Sequence, residues 1–196
     1  MQTTNKFLIV VDVQNDFVTG SLGSEAAQQV VNNIVKRTEM AKDLNETVIF
    51  TRDTHYNNYF DTLEGKKLPV QHCIKDTSGW CIIPELSPAI QMHPHVINKK
   101  TFGISDWFEI IKEYSPCDLD FDAKRNREFT IIGLDTDICV VSNALILRAC
   151  FPDARITVIE DCCAGSSPES HEAALMVMES CQIDVVSLKT ELLSYE

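Results

Sequence analysis

One cysteine in this chain sits where a nucleophile could be made. The string Gly133-Leu134-Asp135-Thr136-Asp137-Ile138-Cys139-Val140 leaves an apolar run through a polar turn and enters a helical pattern at about Ile138. Cys139 is then expected in the first helical turn, where backbone N–H groups and the positive end of the helix dipole favour thiolate over thiol and could hold an oxyanion. Two further groups could serve that sulfur. Asp12, in Val11-Asp12-Val13-Gln14-Asn15-Asp16-Phe17, ends an apolar run and could accept the thiol proton, whereas Asp16 reads equally well as a cap or turn former. A lysine after the run at 95–98 could stabilise thiolate and carboxylate together. The residues alone leave Lys99 and Lys100 interchangeable.

A second constellation suits a metal. Asp53 and His55 are two apart just after the run at 47–51, so they project to one side if the strand continues. His72, in Leu68-Pro69-Val70-Gln71-His72-Cys73, is the best candidate for a third ligand, giving an Asp/His/His set with positions open for water or substrate.

Short β-branched runs recur at 7–11, 47–51, 95–98, 129–134, 155–160 and 184–188, the pattern of strands buried on both faces. Helical spacing lies between them at 25–44, 104–114, 138–150 and 169–181, the last behind Ser167-Pro168, a cap and first-turn proline. This alternation predicts an α/β, Rossmann-like fold: a mainly parallel sheet of about six strands with helices on both faces. In such a sheet ligands sit beyond the carboxyl ends of the strands, where Asp12, Asp53, His55, Lys99 and Cys139 all fall. Residues 56–94 lack strong periodicity and read as the loop system that shapes and covers the pocket. With no repeat or linker in view, residues 1–196 read as a single domain.

The 196 residues are 44% hydrophobic and 23% charged, enough to bury a core. Lys and Arg number 17 against 29 Asp and Glu, a net charge of −12, which argues against nucleic-acid partners. The locally basic strings Lys66-Lys67 and Lys124-Arg125-Asn126-Arg127 read as solvated loops. No apolar run is long enough for a membrane helix, and 7–11 is too short for a signal peptide, so no membrane partner and a cytoplasmic location are expected. The eight cysteines read as reduced thiols, and Cys162-Cys163 is no redox motif.

Four motifs in order, together with the block Thr51-Arg52-Asp53-Thr54-His55, resemble the isochorismatase-like cysteine hydrolases, and among them the nicotinamidases most closely. The resemblance implies an Asp–Lys–Cys triad on Asp12, Lys99 and Cys139, Phe102 three after the lysine deciding for Lys99 over Lys100. It implies a divalent ion, commonly zinc, on Asp53, His55 and His72, facing a ring nitrogen of the substrate. It further implies a cis peptide at Leu134–Asp135, an oxyanion hole from the N–H groups of Asp135 and Cys139, and substrate contacts from Phe17 and Leu134. The expected activity is hydrolysis of a small amide, nicotinamide to nicotinate and ammonia, by a homo-oligomer. A hydrolase of a carbamoyl compound, or a non-catalytic binding protein of the same fold, are the alternatives. The chain departs from the pattern at Asp135, where a small residue is usual, and the aromatic substrate wall has only Phe17, Phe60, Trp80 and Phe102 as candidates.

Overall fold

A computed structural model describes residues 5–114, 127–193 and 195. Six strands form one sheet: β1 (Lys6–Val11), β2 (Thr47–Asp53), β3 (Val96–Lys99), β4 (Glu128–Leu134), β5 (Arg155–Ala164) and β6 (Asp184–Val186). Their order is β3-β2-β1-β4-β5-β6, and every neighbouring pair is parallel. The chain moves outward from β1 to β3, then returns to the other side of β1 for β4 to β6. The reversal lies between β1 and β4, and a crevice opens at the carboxyl ends of strands at such a switch point.

Alternation along β1 divides the core. Phe7, Ile9 and Val11 face one apolar cluster with Trp107, Leu147, Phe151 and Met178, from the helices α5 (Trp107–Tyr114), α6 (Val141–Cys150) and α7 (Pro168–Ser180) and the turn after α6. Leu8 and Val10 face a second cluster that holds Val18 of α1 (Asn15–Val18), Ala27 and Ile34 of α2 (Glu25–Met40), and Leu188 of α8 (Leu188–Leu193). Helices therefore cover both faces. Each fully buried aliphatic side chain contributes about 1.5–3 kcal/mol, and every β1 residue from Phe7 to Val11 is at most 1% exposed.

Local chemistry sets the helix ends. Ser24 accepts from Ala27 N at the start of α2, and Ser167 accepts from Ser170 N ahead of Pro168 in α7. Helix α2 stops at Met40, short of the expected 44, where the chain turns through Asn45 at φ 55° into β2. The expected helix at 104–114 starts only at Trp107, and the last strand ends at Val186 because Leu188 opens α8.

Strand β5 continues past the polar pair Glu160-Asp161. Pairing with β4 shifts from Ile131–Val158 to Gly133–Cys163, so a bulge absorbs the polar residues before the strand resumes. Cys162 and Cys163 then point to opposite faces, one into each apolar cluster. All the described cysteines are free thiols.

Residues 56–94 are not structureless. They contain two 3₁₀ turns, Tyr59–Asp61 and Pro84–Leu86, and the short helices α3 (Leu63–Lys67) and α4 (Ser87–Met92). Lys66 and Lys67 are exposed on α3. Arg127 is instead buried with its guanidinium 5.2 Å from the Phe151 ring, because the aliphatic stem and planar head pack on the apolar layer; Lys124, Arg125 and Asn126 lie outside the described residues. Among the described residues no helix is long and apolar enough to cross a membrane.

Candidate active site

Parallel register brings four strand ends level. Val11 pairs with Gly133, and Asp53 pairs with Lys99, so the residues leaving β1, β2, β3 and β4 meet at one edge. Gly133 has φ +125°, and a Cβ there would overlap the Val11 carbonyl oxygen, so only glycine lets β4 approach β1 this closely. Asp12 turns out of β1 at φ 50°, a left-handed conformation that costs a non-glycine residue about 1–2 kcal/mol. Its N–H donates to Thr51 Oγ1 (3.2 Å), the Thr51 hydroxyl donates back to Asp12 Oδ1 (2.7 Å), and Gln14 N donates to its carbonyl (2.8 Å).

Lys99 Nζ lies 2.6 Å from Asp12 Oδ2, 3.3 Å from Cys139 Sγ and 3.5 Å from Asp53 Oδ1. The three side chains expected from three different strand ends therefore touch. Asp12 is fully buried, and Lys99 and Cys139 are each 4% exposed. Burial works against the Lys99 ammonium, but Asp12, Cys139 and Asp53 overcome it and hold the group above the ordinary lysine range. Burial pushes the Asp12 carboxyl up, with Lys99 pulling the other way.

The thiol does not follow the expectation drawn from its helix end. Burial and then the Asp12 charge push Cys139 well above the ordinary thiol range, and Lys99 only partly offsets them. The sulfur therefore favours the thiol form, within reach of the Lys99 ammonium that pairs with Asp12. In a site this dry the charge is stabilised as the Asp12–Lys99 pair, leaving the proton on sulfur. Cys139 lies in a π-helical turn, Thr136–Val140, that runs into α6, and the Leu134–Asp135 peptide ahead of it is cis, as the resemblance implied.

Asp53, His55 and His72 come together, and a fourth group joins them. Ligand atoms of Asp53, His55, Glu64 and His72 all lie within 4.8 Å of one another. His55 Nε2 is 2.9 Å from Asp53 Oδ2 and 3.4 Å from Glu64 Oε1, yet is buried without a well-directed hydrogen bond. The Val70 carbonyl accepts from His72 Nδ1 at 2.8 Å, which leaves Nε2 free to face the cluster. Burial disfavours charge on both imidazoles, but Asp53 and Glu64 overcome it and push His55 up to about 9 and His72 to about 10. Burial opposes the Glu64 carboxylate too, but His55 and His72 hold it down at about 2. Two carboxylates, two imidazoles and an orphaned buried nitrogen fit a divalent cation, which would replace the protons.

Glu64 carried no mark in the sequence. It stands in the first turn of α3, which Thr62 caps by accepting from Gly65 N at 3.0 Å, and only the folding back of α3 brings it to the histidines. Asn143 was missed as well. Its Nδ2 donates to the carbonyls of Cys139 (2.8 Å) and Phe102 (3.2 Å), and its Oδ1 accepts from Ile104 N (3.1 Å) and Trp107 Nε1 (2.9 Å), tying the loop after β3 to the cysteine's helix. Asp16 is structural: its carboxylate accepts from Cys73 N at 2.7 Å and Ser21 N at 3.3 Å.

A cavity of about 510 Å³ opens onto Cys139. Phe17, Leu22, Leu63, Leu68, Phe102 and Ile138 supply apolar wall, and Asp53, Glu64, His72 and Asp135 polar wall. Two of the four aromatic candidates are thus in place. Trp80 instead donates from Nε1 to Thr54 Oγ1 at 2.8 Å beneath the Arg52 guanidinium, and Phe60 is exposed beside Tyr59. Leu134 faces the second core cluster with no exposed surface and is not a wall of the cavity, because it is still part of β4, and Asp135 is the first residue after the strand to line the pocket. Lys100, beside the triad lysine in sequence, lies on the cavity wall with its ammonium 5.2 Å from the Tyr56 ring.

A family model described as an isochorismatase domain matches residues 6–190. The chain belongs to the isochorismatase family. It is 28% identical to the nicotinamidase of Schizosaccharomyces pombe over 95% of this chain and 94% of that one. Among solved structures of the family's fold, the nicotinamidase from Bacillus subtilis superposes with a TM-score of 0.77 at 26% identity, covering 94% of this chain and 100% of that one. The pyrazinamidase of Pyrococcus horikoshii in complex with zinc shares the fold, with a TM-score of 0.76 at 22% identity and coverage of 94% and 99%.

Proposed function

We propose that this isochorismatase-family chain is an amidohydrolase that cleaves the carbon–nitrogen bond of a small carboxamide through a thioester on Cys139, converting nicotinamide to nicotinate and ammonia. The observation that carries this reading is the ammonium of Lys99 held 2.6 Å from Asp12 and 3.3 Å from Cys139 Sγ at a cavity large enough for a single-ring amide. The likeness to nicotinamidases along nearly the whole chain supports the substrate.

In this mechanism Asp12 takes the thiol proton as Sγ attacks the amide carbonyl carbon. Lys99 stays protonated and offsets the carboxylate and the developing thiolate. The backbone N–H groups of Asp135 and Cys139 hold the oxyanion. As the tetrahedral intermediate collapses the C–N bond breaks, the proton passes from Asp12 to nitrogen, and ammonia leaves the acyl group on sulfur. Asp12 then takes a proton from water, the hydroxyl adds to the thioester, and the C–S bond breaks as sulfur recovers its proton and the acid departs. Phe17 and Phe102 flank the ring.

Asp53, His55, Glu64 and His72 would hold a divalent cation, zinc being the ion expected, and when bound it supplies a Lewis-acid contact for the pyridine nitrogen. The reading takes residues 1–196 as one domain, working as a homo-oligomer in the cytoplasm, where free thiols such as Cys73 and Cys163 persist.

The test is ammonia release from nicotinamide, pyrazinamide and a carbamoyl compound by the metal-supplemented protein. Cys139→Ala is expected to reduce the rate by about 10,000-fold or more. A Cys139→Ala protein as fast as the parent would refute the thioester route, and a parent active only on the carbamoyl compound would reassign the substrate.

A further inference from the structure

Four carboxylates stand in or beside the cavity, with Lys67 and Lys100 also on its wall, and three of the four have an assigned partner. Asp12 is paired with Lys99, and the carboxylates of Asp53 and Glu64 belong to the cluster that fits a divalent cation. Asp135 also lines the cavity, four residues before Cys139, yet its carboxyl has no hydrogen-bond or ion-pair partner among the described residues. A half-buried carboxyl without a protein partner is open to a hydrogen-bond donor that enters the cavity. Burial, then Asp137 and Asp12, push this carboxyl up to about 7, so it is mostly ionised only above that pH.

Its position is tied to the reacting centre. The N–H of the same residue is one of the two groups proposed for the oxyanion, and the residue lines the same cavity as Cys139. A carboxamide presents an NH₂ donor there, which a carboxylate can accept. Hydrolysis replaces that donor with a second carboxylate oxygen, which has nothing to donate and carries the same charge. A site built around a donor discriminates strongly against the analogue that lacks it, and like charge adds to the discrimination.

We propose that the Asp135 side chain is a specificity determinant that accepts from the amide nitrogen of the substrate and rejects carboxylates, the acid product included. The amide is retained until it reacts, and the acid is expelled once formed. The inference rests on the amidohydrolase reading given above, and it assigns a role to the side chain separate from that of the backbone N–H, which every substitution except proline keeps.

The experiment compares binding of matched amide and acid pairs, nicotinamide with nicotinate, pyrazinamide with pyrazinoate and benzamide with benzoate. Titration calorimetry is run at a pH of about 8.5 on zinc-supplemented Cys139→Ala protein, with and without Asp135→Asn. In the Asp135 background the amide is expected to bind more tightly than its acid, and Asp135→Asn should shift the ratio of dissociation constants toward the acid by about tenfold or more. Taking the ratio within each protein cancels any direct effect of the cation on the ring, and Asp135→Ser repeats the comparison should the Asn protein fail to fold. A ratio unchanged by both substitutions, in any pair that binds, overturns the role of Asp135 and leaves the amidohydrolase reading standing. Failure of all three pairs to bind the Asp135 protein overturns the small-amide reading and this inference with it.

Discussion

Gln14 and Asp53 are joined twice: Gln14 Nε2 donates to the Asp53 carbonyl at 2.9 Å, and Asp53 N donates to Gln14 Oε1 at 2.6 Å. The same Nε2 donates to the Trp80 carbonyl at 2.8 Å. This fully buried amide fastens the exit of β1, which presents Asp12, to the exit of β2, which presents the first residue of the cluster that fits a cation. Gln14→Ala should leave an N–H and two carbonyls without their partner and destabilise the protein by about 3 kcal/mol, lowering Tm by roughly 6–12 °C. Calorimetric melting measures it, and a fall of less than about 2 °C would mean that the clamp contributes little.

Removing the charge of Lys99 isolates Asp12. Lys99→Met should destabilise by about 3–5 kcal/mol, because a carboxylate with no exposed surface loses its partner, and should reduce kcat/KM by about 100-fold or more. Lys99→Arg should not restore activity, since a planar guanidinium cannot occupy the point between Asp12, Cys139 and Asp53. Steady-state kinetics on both variants would expose a dispensable lysine as near-parental rates.

Glu64 separates the four-residue cluster from the three-residue set legible in the sequence. Glu64→Ala should weaken divalent-metal binding by about 10–100-fold, an effect of the size seen when a group supporting a metal site is lost. Activity should recover as zinc is added in excess. Competition with a chromogenic chelator gives the affinity, and an unchanged value would leave Asp53, His55 and His72 sufficient.

Asp135 holds its proton more tightly in the folded chain, to about 7, than at its ordinary 3.8. That contribution to stability is complete at pH below 3.8 and is lost as pH rises through about 7. Asp135→Asn, which cannot ionise, should therefore gain on the parent between those limits. The Tm difference between variant and parent should be more positive at a pH of about 8 than at about 5, by roughly 2–4 °C for each 1 kcal/mol. A difference independent of pH would contradict the assignment.

Arg37 tests the opposite end of the sheet. It is fully buried, donating from Nε to Glu191 at 2.8 and 2.9 Å and from its terminal nitrogens to Glu46 at 2.7 Å. Arg37→Met should cost about 3–5 kcal/mol, because Glu46 and Glu191 lose the guanidinium that joins them. Per folded molecule, kcat at 25 °C should stay within about twofold, because Glu46 precedes β2 whereas the site lies beyond its far end. A large loss of kcat in the folded variant would reveal coupling along the sheet.

The amino-acid order was sufficient for the six strands, the four long helices and their alternation, but not for every element end or for the short helices α3 and α4. Doubly buried strands announce themselves as short β-branched runs, amphipathic helices as 3.6-residue spacing, and a parallel sheet as their alternation, so the strand ends carrying Asp12, Asp53, Lys99 and Cys139 were readable in advance. What depends on chain segments meeting was not. Glu64 reaches the histidines only because α3 folds back, β5 passes two polar residues only because a bulge absorbs them, and Asn143 acquires its role only once two loops lie against α6. The protonation of Cys139 belongs to the same class: a helix start argues for thiolate, but the sulfur is enclosed beside Asp12, and desolvation, which no spacing encodes, outweighs the dipole.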